Sequence, residues 1–462
     1  MIRRVVMSAW VLSALLLAGC STVNFERDLP RASTLVESRS GLKTAWGEDD
    51  APPVWDGRSP LTSTQAATVA LRNNRELRAE LEEIAAARAD LVQAGLLPNP
   101  VVSLAFRLPL LSGVPTFDAG ITQQFTDMWL RPYREGAAKA GLDRTVLSAS
   151  DRALRLVARA RQAHARVVYG QQAIEFTKQD LGLLERSIAT TEGRVRAGEA
   201  TALDVNRVRQ QLLGLQAELQ QEQASLEKQK RELLLEMGLA DGATEWAAEM
   251  DTTPSSEQWT RLSESELVER LREQRLDILA ARYDVETRRQ ELKASEWRKG
   301  KVGVDAGASF ESNSGGSELG PAANLTIPLF DTGSAQVEKA RALVRAAEAR
   351  AEQVEQSAVG EARSALAELR RASQLIEFYR GQVLTLAQDN LARAEAAVRS
   401  GTTDQTVLLE AQRELIEARR TLNRLESDMA EARHALEYAV GGWVDAPGSV
   451  MMDARKEAGS QP

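Results

Sequence analysis

The residue types that usually carry chemistry are sparse in this 462-residue chain. It holds two histidines, His164 and His434, one cysteine, Cys20, and eight methionines that form no cluster. Neither histidine has a Cys, His or carboxylate at ligand spacing, and His434 falls off the apolar seam of its helix, at an outward position. No Ser–His–Asp set, phosphate-cradling glycine loop or paired catalytic carboxylates emerges, so the pattern points away from an enzyme and calls for no cofactor or metal. Two other groups remain. Asp204, Asp404 and Glu410 lie just past two glycine-containing breaks. Arg107, Asp118, Gln124, Lys301, Asp305 and Glu311 recur on one side of alternating segments. Carboxylates repeated around a symmetry axis would draw and select cations. A net charge of −8 argues against nucleic acid as a partner.

The breaks are "RVRAGEATALDV" and "AVRSGTTDQTVL", and their glycines, Gly198 and Gly401, stand 203 residues apart. Gly238 and Gly441, each closing a helical run, have the same spacing, and "LRNNREL" at Leu71 matches "LREQRLD" at Leu271. A near-constant shift along the chain is the mark of an internal duplication. It predicts halves at 61–240 and 261–442 joined by a linker at 241–260. Each half would contain a helix (62–95, 264–297), two short alternating segments, a very long helical stretch, a glycine turn and a last helix. Leu408, Ala411, Leu415, Ala418, Leu422, Leu425, Met429, Ala432, Leu436 and Ala439 step by three and four, as a heptad seam does. Val205, Val208, Leu212, Leu215 and Leu219 repeat that phase. No proline falls between Tyr133 and Thr253, and residues 133–196 as one helix would run about 95 Å. At the turns, Gly198 and Gly401 can take left-handed geometry, and Thr201, Asp204 and Asp404 can cap the outgoing helices.

The alternating segments are 101–110, 116–126, 301–311 and 322–329. Val102, Leu104 and Phe106 oppose Ser103 and Arg107, and Phe117, Ala119 and Ile121 oppose Asp118, Gly120 and Thr122. Val304, Ala306, Ala308 and Phe310 oppose Asp305, Gly307, Ser309 and Glu311. Such period-two segments of about ten residues suit membrane strands, though a soluble hairpin packed on a helix alternates too. Phe125, Trp129, Trp297 and Phe330 gather at the helix-proximal ends, as an interfacial belt would. Four strands cannot close a barrel, and open edges are not tolerated in lipid. The strands therefore require a homo-oligomer, and twelve from a trimer leave a passage where eight do not.

The N-terminus reads as a targeting segment. "MIRR" is a basic start, "VVMSAWVLSALLLA" is too short to span a bilayer, and "LAGC" has the pattern of a bacterial lipobox. Residues 1–19 would be removed and Cys20 acylated, with Ser21 suiting outer-membrane sorting. Residues 20–60 are expected as an extended, lipid-anchored linker and 443–462 as a loose tail.

"LLPNP" (96–100), "LTIPLFDTGSAQVEKARA" (325–342), the two glycine turns with heptad helices behind them, and the duplication together resemble the TolC-like outer-membrane efflux family, in its lipoprotein form. "LLPNP" is also similar to the heavy-metal efflux branch. The first half departs from the pattern at "ITQQFTDMWLRPYREG", which lacks the Pro-Leu-Phe and Gly-rich turn of the second half. The resemblance implies an α+β membrane protein, in which long antiparallel coiled-coil helices form a periplasmic α-barrel and a small β-barrel closes only in a trimer. It implies a passive exit duct in the bacterial outer membrane, docking a periplasmic adaptor and an inner-membrane transporter. Gly198, Thr201, Gly401 and Thr402 would meet the adaptor. Asp204, Asp404 and Glu410 would form the periplasmic gate, Glu410 where relatives carry a constriction aspartate. Arg107, Asp118, Gln124, Lys301, Asp305 and Glu311 would line the pore. A structural coiled-coil lipoprotein tether without a pore is the competing expectation.

Overall fold

The computed structural model describes residues 28–44, 46, 53–108, 115–250, 260, 262–313, 316–403 and 405–442. Cys20, Asp404 and the 443–462 tail lie outside these residues. Two compact units are formed. One takes residues up to Arg31 with Leu81–Val146 and Ala280–Ala351; the other takes Ala32–Glu80, Leu147–Leu279 and the chain from Glu352. In chain order the elements are α1 (Leu29–Ser40), α2 (Ser63–Asn73), α3 (Arg75–Gly95), β1 (Val101–Arg107), β2 (Thr116–Gln124), α4 (Thr126–Arg196) and α5 (Ala202–Glu236). Then come α6 (Glu264–Gln274), α7 (Leu276–Arg298), β3 (Gly303–Asn313), β4 (Gly316–Thr326), α8 (Ser334–Phe378), α9 (Leu384–Arg399) and α10 (Gln405–Ala439).

The strands form one antiparallel sheet in the order β1-β2-β3-β4. Its fourth strand differs from the expected 322–329: it starts six residues earlier and ends at Thr326. "GSELGP" reads as turn by composition, but cross-strand pairing with β3 outweighs that local preference. Pro321 is accommodated because β4 is an edge strand, where a missing N–H costs no ladder bond. The third strand runs 303–313 rather than 301–311, so Lys301 precedes it. The first strand ends at Arg107 and the second at Gln124.

Each expected single helix before the strands is broken once. Asn74 and Arg275 share an extended backbone, with ψ of 121° and 123°. Asn74 ends α2 through its N–H to Ala70 O and starts α3 by accepting from the Leu77 N–H at 3.0 Å. Gly238 and Gly441 require these breaks. A Cβ on Gly238 would lie 2.4 Å from Asn73 O, and one on Gly441 2.7 Å from Gln274 C. The chain comes so close at both places that only glycine fits. The 20–60 segment also departs from the extended expectation, because α1 buries Ala32 and Val36 completely.

After β2, α4 begins at Thr126 rather than near 133 and carries Pro132 inside it. Thr126 Oγ1 accepts the Val304 N–H at 2.8 Å, so this one residue both starts the helix and ties it to β3. In the second half the long stretch is interrupted by a π-helical turn, Tyr379–Val383, between α8 and α9. In α10, Leu408, Ala411, Leu415, Ala418, Leu425, Ala432, Leu436 and Ala439 are buried. Ala394 and Val398 of α9 pack on Leu408 and Ala411. Val208 and Leu215 of α5 pack on Leu184 of α4 and Leu409 of α10. Most of the apolar steps read from sequence are thus buried, while Leu212, Leu219, Leu422 and Met429 are half-buried.

Candidate functional site

The sheet has two unlike faces, apolar except for Gln123, Ser312 and Ser317 on one side and mostly polar or small on the other. Ladder partners share a face, and Val102, Ile121, Ala308 and Pro321 form one row across all four strands. The rows of that parity hold Leu104, Phe106, Phe117, Ala119, Val304, Ala306, Phe310, Leu319, Ala323 and Leu325. The opposite face carries the polar set. Asp118, Glu311 and Glu318 are successive partners in one row, and Gln124, Asp305 and Asn324 in another. Arg107 Nη1 reaches Asp118 Oδ2 at 2.9 Å. Five of the six residues expected to line a passage therefore occupy one face. Lys301 does not join them: it sits before β3 with its Nζ 3.8 Å from the Trp297 ring centroid, because the ring offers the ammonium a closer partner. Glu318 was missed with its strand; its ladder pairing, not its local sequence, reveals it.

The apolar face is exposed, with Val102, Leu104, Phe106, Leu319 and Leu325 each more than half accessible. Exposed large side chains continue beyond the sheet in Ile327, Leu329, Phe330 and Trp129. Contiguous apolar surface of this extent marks a face meant for lipid or another chain.

The two turns share one geometry. Gly198 has φ +78° and Gly401 +71°. Glu199 N–H donates to Arg194 O and Gly198 N–H to Val195 O; Thr402 and Gly401 make the same pair of bonds to Ala397 and Val398. This is the Schellman end of a helix, satisfied by a left-handed residue. Nothing lies within 4 Å of a Cβ built on either glycine, so backbone angle alone selects the residue. Thr201 and Asp204 form a reciprocal capping box: Asp204 Oδ2 accepts the Thr201 N–H at 2.9 Å and its hydroxyl at 2.7 Å. The Thr201 hydrogen bonds hold the Asp204 carboxyl below its ordinary range. Thr402 Oγ1 donates to Ala397 O at 3.1 Å. Glu410 is exposed on α10. Leu203 and Val407, not anticipated as tip residues, are exposed beside the turns.

Two buried ionic clusters were also missed. Asp180 of α4 is fully buried, and its nearest cation is Arg419 of α10 at 3.6 Å. Burial outweighs that cation and pushes the Asp180 carboxyl up to about 6. The neighbouring Arg420 bonds Glu218 of α5 and, at 3.2 Å, Thr177 of α4. The second cluster corrects the outward placement of His434 and the reading that no carboxylate stands at its spacing, since Glu437 lies one helical turn on. His434 is buried, its Nδ1 is 2.9 Å from Glu437 Oε2, and Arg433 shares the carboxylate at 3.0 Å. The heptad step fails there because the far side of α10 is covered as well. His164 is buried against Leu61 O at 2.7 Å. Among the described residues no group of three or more His, Cys, Asp or Glu is arranged to hold a metal.

The model of the family described as "Outer membrane efflux protein" matches residues 267–442. The second half of the chain is thus similar to the outer membrane efflux proteins. Among the relatives of the chain is the outer membrane protein OprJ of Pseudomonas aeruginosa, 27% identical, with 87% of this chain and 88% of that one covered. The pyoverdine export outer membrane protein OpmQ of the same organism is 25% identical, covering 93% and 95%. The fold is similar to that of the outer membrane protein VceC from Vibrio cholerae, with a TM-score of 0.71 at 20% identity, covering 82% of this chain and 96% of that one.

Proposed function

We propose that this protein is the outer-membrane channel of a tripartite efflux system, a passive exit duct that docks a periplasmic adaptor and an inner-membrane transporter. The observation that carries this is the four-stranded sheet, polar on one face and apolar on the other. Its outer strands β1 and β4 are open edges, which lipid does not tolerate. Three copies supply twelve strands, enough to close a barrel around a passage lined by Arg107, Asp118, Gln124, Asp305, Glu311 and Glu318. The helices, two duplicated sets at 61–240 and 261–442 joined by 241–260, form the periplasmic α-barrel with coiled-coil pairs. The Gly198 and Gly401 turns, with Thr201 and Thr402, meet the adaptor. Asp204, Asp404 and Glu410 stand at the gate, where rings of three carboxylates favour cations. Cys20, freed when residues 1–19 are cleaved, carries the lipid anchor.

The cargo is a small molecule or a metal ion, passed on without chemistry. A pore-less tether is disfavoured because it gives no use to a continuous polar face across four strands. Purified trimer in a planar bilayer tests the proposal by its conductance.

A further inference from the structure

The junction between α7 and β3 gathers charge and aromatic surface that a passive duct does not need. Arg298 ends α7, Lys299, Gly300 and Lys301 follow, and β3 opens at Gly303. Gly300 has φ +69°, and its N–H donates to Thr332 O at 3.0 Å. That bond sets the turn beside the segment bearing Ile327, Leu329 and Phe330, the last of them 99% exposed. Trp129, in the first turn of α4, lies 6.2 Å from Trp297 with the rings tilted by 31°. Lys301 Nζ sits over the Trp297 ring.

The acids nearby are already engaged. Asp127 lies 3.8 Å from Arg134 and 3.9 Å from Arg298. Glu296 pairs with Arg341 at 3.1 Å, and Asp331 accepts the Gly333 N–H at 2.9 Å. Among the described residues neither Lys299 nor Lys301 makes an ion pair, and both are exposed. Two unneutralised ammonium groups thus border an aromatic pair and bare aliphatic surface. Indole rings settle at the membrane–water boundary, lysine stems lie along apolar surface with their heads in the polar layer, and such heads favour anionic lipid. The complement to this patch is an acyl chain joined to a negatively charged phosphate.

We propose that the Lys299–Gly300–Lys301 turn and the Trp129–Trp297 pair bind the headgroup of an anionic phospholipid in the periplasmic leaflet. The assignment rests on the outer-membrane reading above. Its test is tryptophan quenching of the full-length trimer in vesicles containing brominated phosphatidylglycerol or brominated phosphatidylethanolamine at equal mole fraction. Stronger quenching by the glycerol lipid is expected, with the preference falling about five-fold per lysine in Lys299→Gln and Lys301→Gln. The charge-conserving Lys301→Arg should keep the preference. Equal quenching by both lipids, or a preference untouched by the double Gln variant, overturns the lipid site while leaving the membrane reading intact. Quenching by neither overturns both. Excess inorganic phosphate at matched ionic strength should leave the preference in place; its loss would make the turn a free-phosphate site and overturn the lipid assignment.

Discussion

Single side chains here act mainly through the helix ends and buried charges they complete. Asp204 is bound into its capping box, whereas Glu410 stands free on its helix, so the two candidate gate acids should behave differently on substitution. Asp204→Ala removes its half of the capping box and should loosen the start of α5, read as faster proteolysis near residue 200. Glu410→Ala should leave stability unchanged and raise resting current several-fold; an unchanged current would remove it from the gate. Asp180 gives a pH signature. Its folded value of about 6 lies above the ordinary 3.8, so its contribution to stability is fully present below about pH 4 and is lost as pH rises through 6. Asp180→Asn should therefore gain on wild type between pH 4 and pH 8, by at most about 3 kcal/mol, in thermal unfolding at the two pH values. A gap that shrinks over that range would mean Arg419 dominates instead. None of this cluster was legible in the sequence, because Asp180 and Arg419 are far apart in the chain and neither interrupts a helical pattern.

At the scale of elements, the glycines separate two physical causes. Gly198→Ala strains only the backbone angle, at about 1–2 kcal/mol. Gly238→Ala adds a collision with the Asn73 carbonyl and should lower the unfolding midpoint more; equal losses would contradict the close approach. The glycine turns, the apolar side of the last helices and the alternation of the strands were readable, since each depends on local spacing. The limits of β4, the breaks at Asn74 and Arg275 and the helix within 20–60 were not. The strand and the two breaks are fixed by distant partners: β3 for Gly316–Pro321, Gly238 for Asn74, Gly441 for Arg275. The π-turn at Tyr379–Val383 occurs in only one of the two long stretches, and we have no physical account of it.

At the scale of the whole molecule, the amphipathic sheet is the feature a single chain leaves unresolved. Its apolar face is bare and its outer edges are unpaired, while its polar face carries Asp118, Glu311 and Glu318 in one row. In the proposed trimer the edges would close, the apolar faces would meet lipid and the acids would face water. The most direct test is single-channel recording of the purified protein in a planar bilayer. A trimeric channel should give discrete, cation-preferring current steps that appear with the trimer and vanish when it is dissociated. A water-soluble monomer that gives no conductance would contradict it.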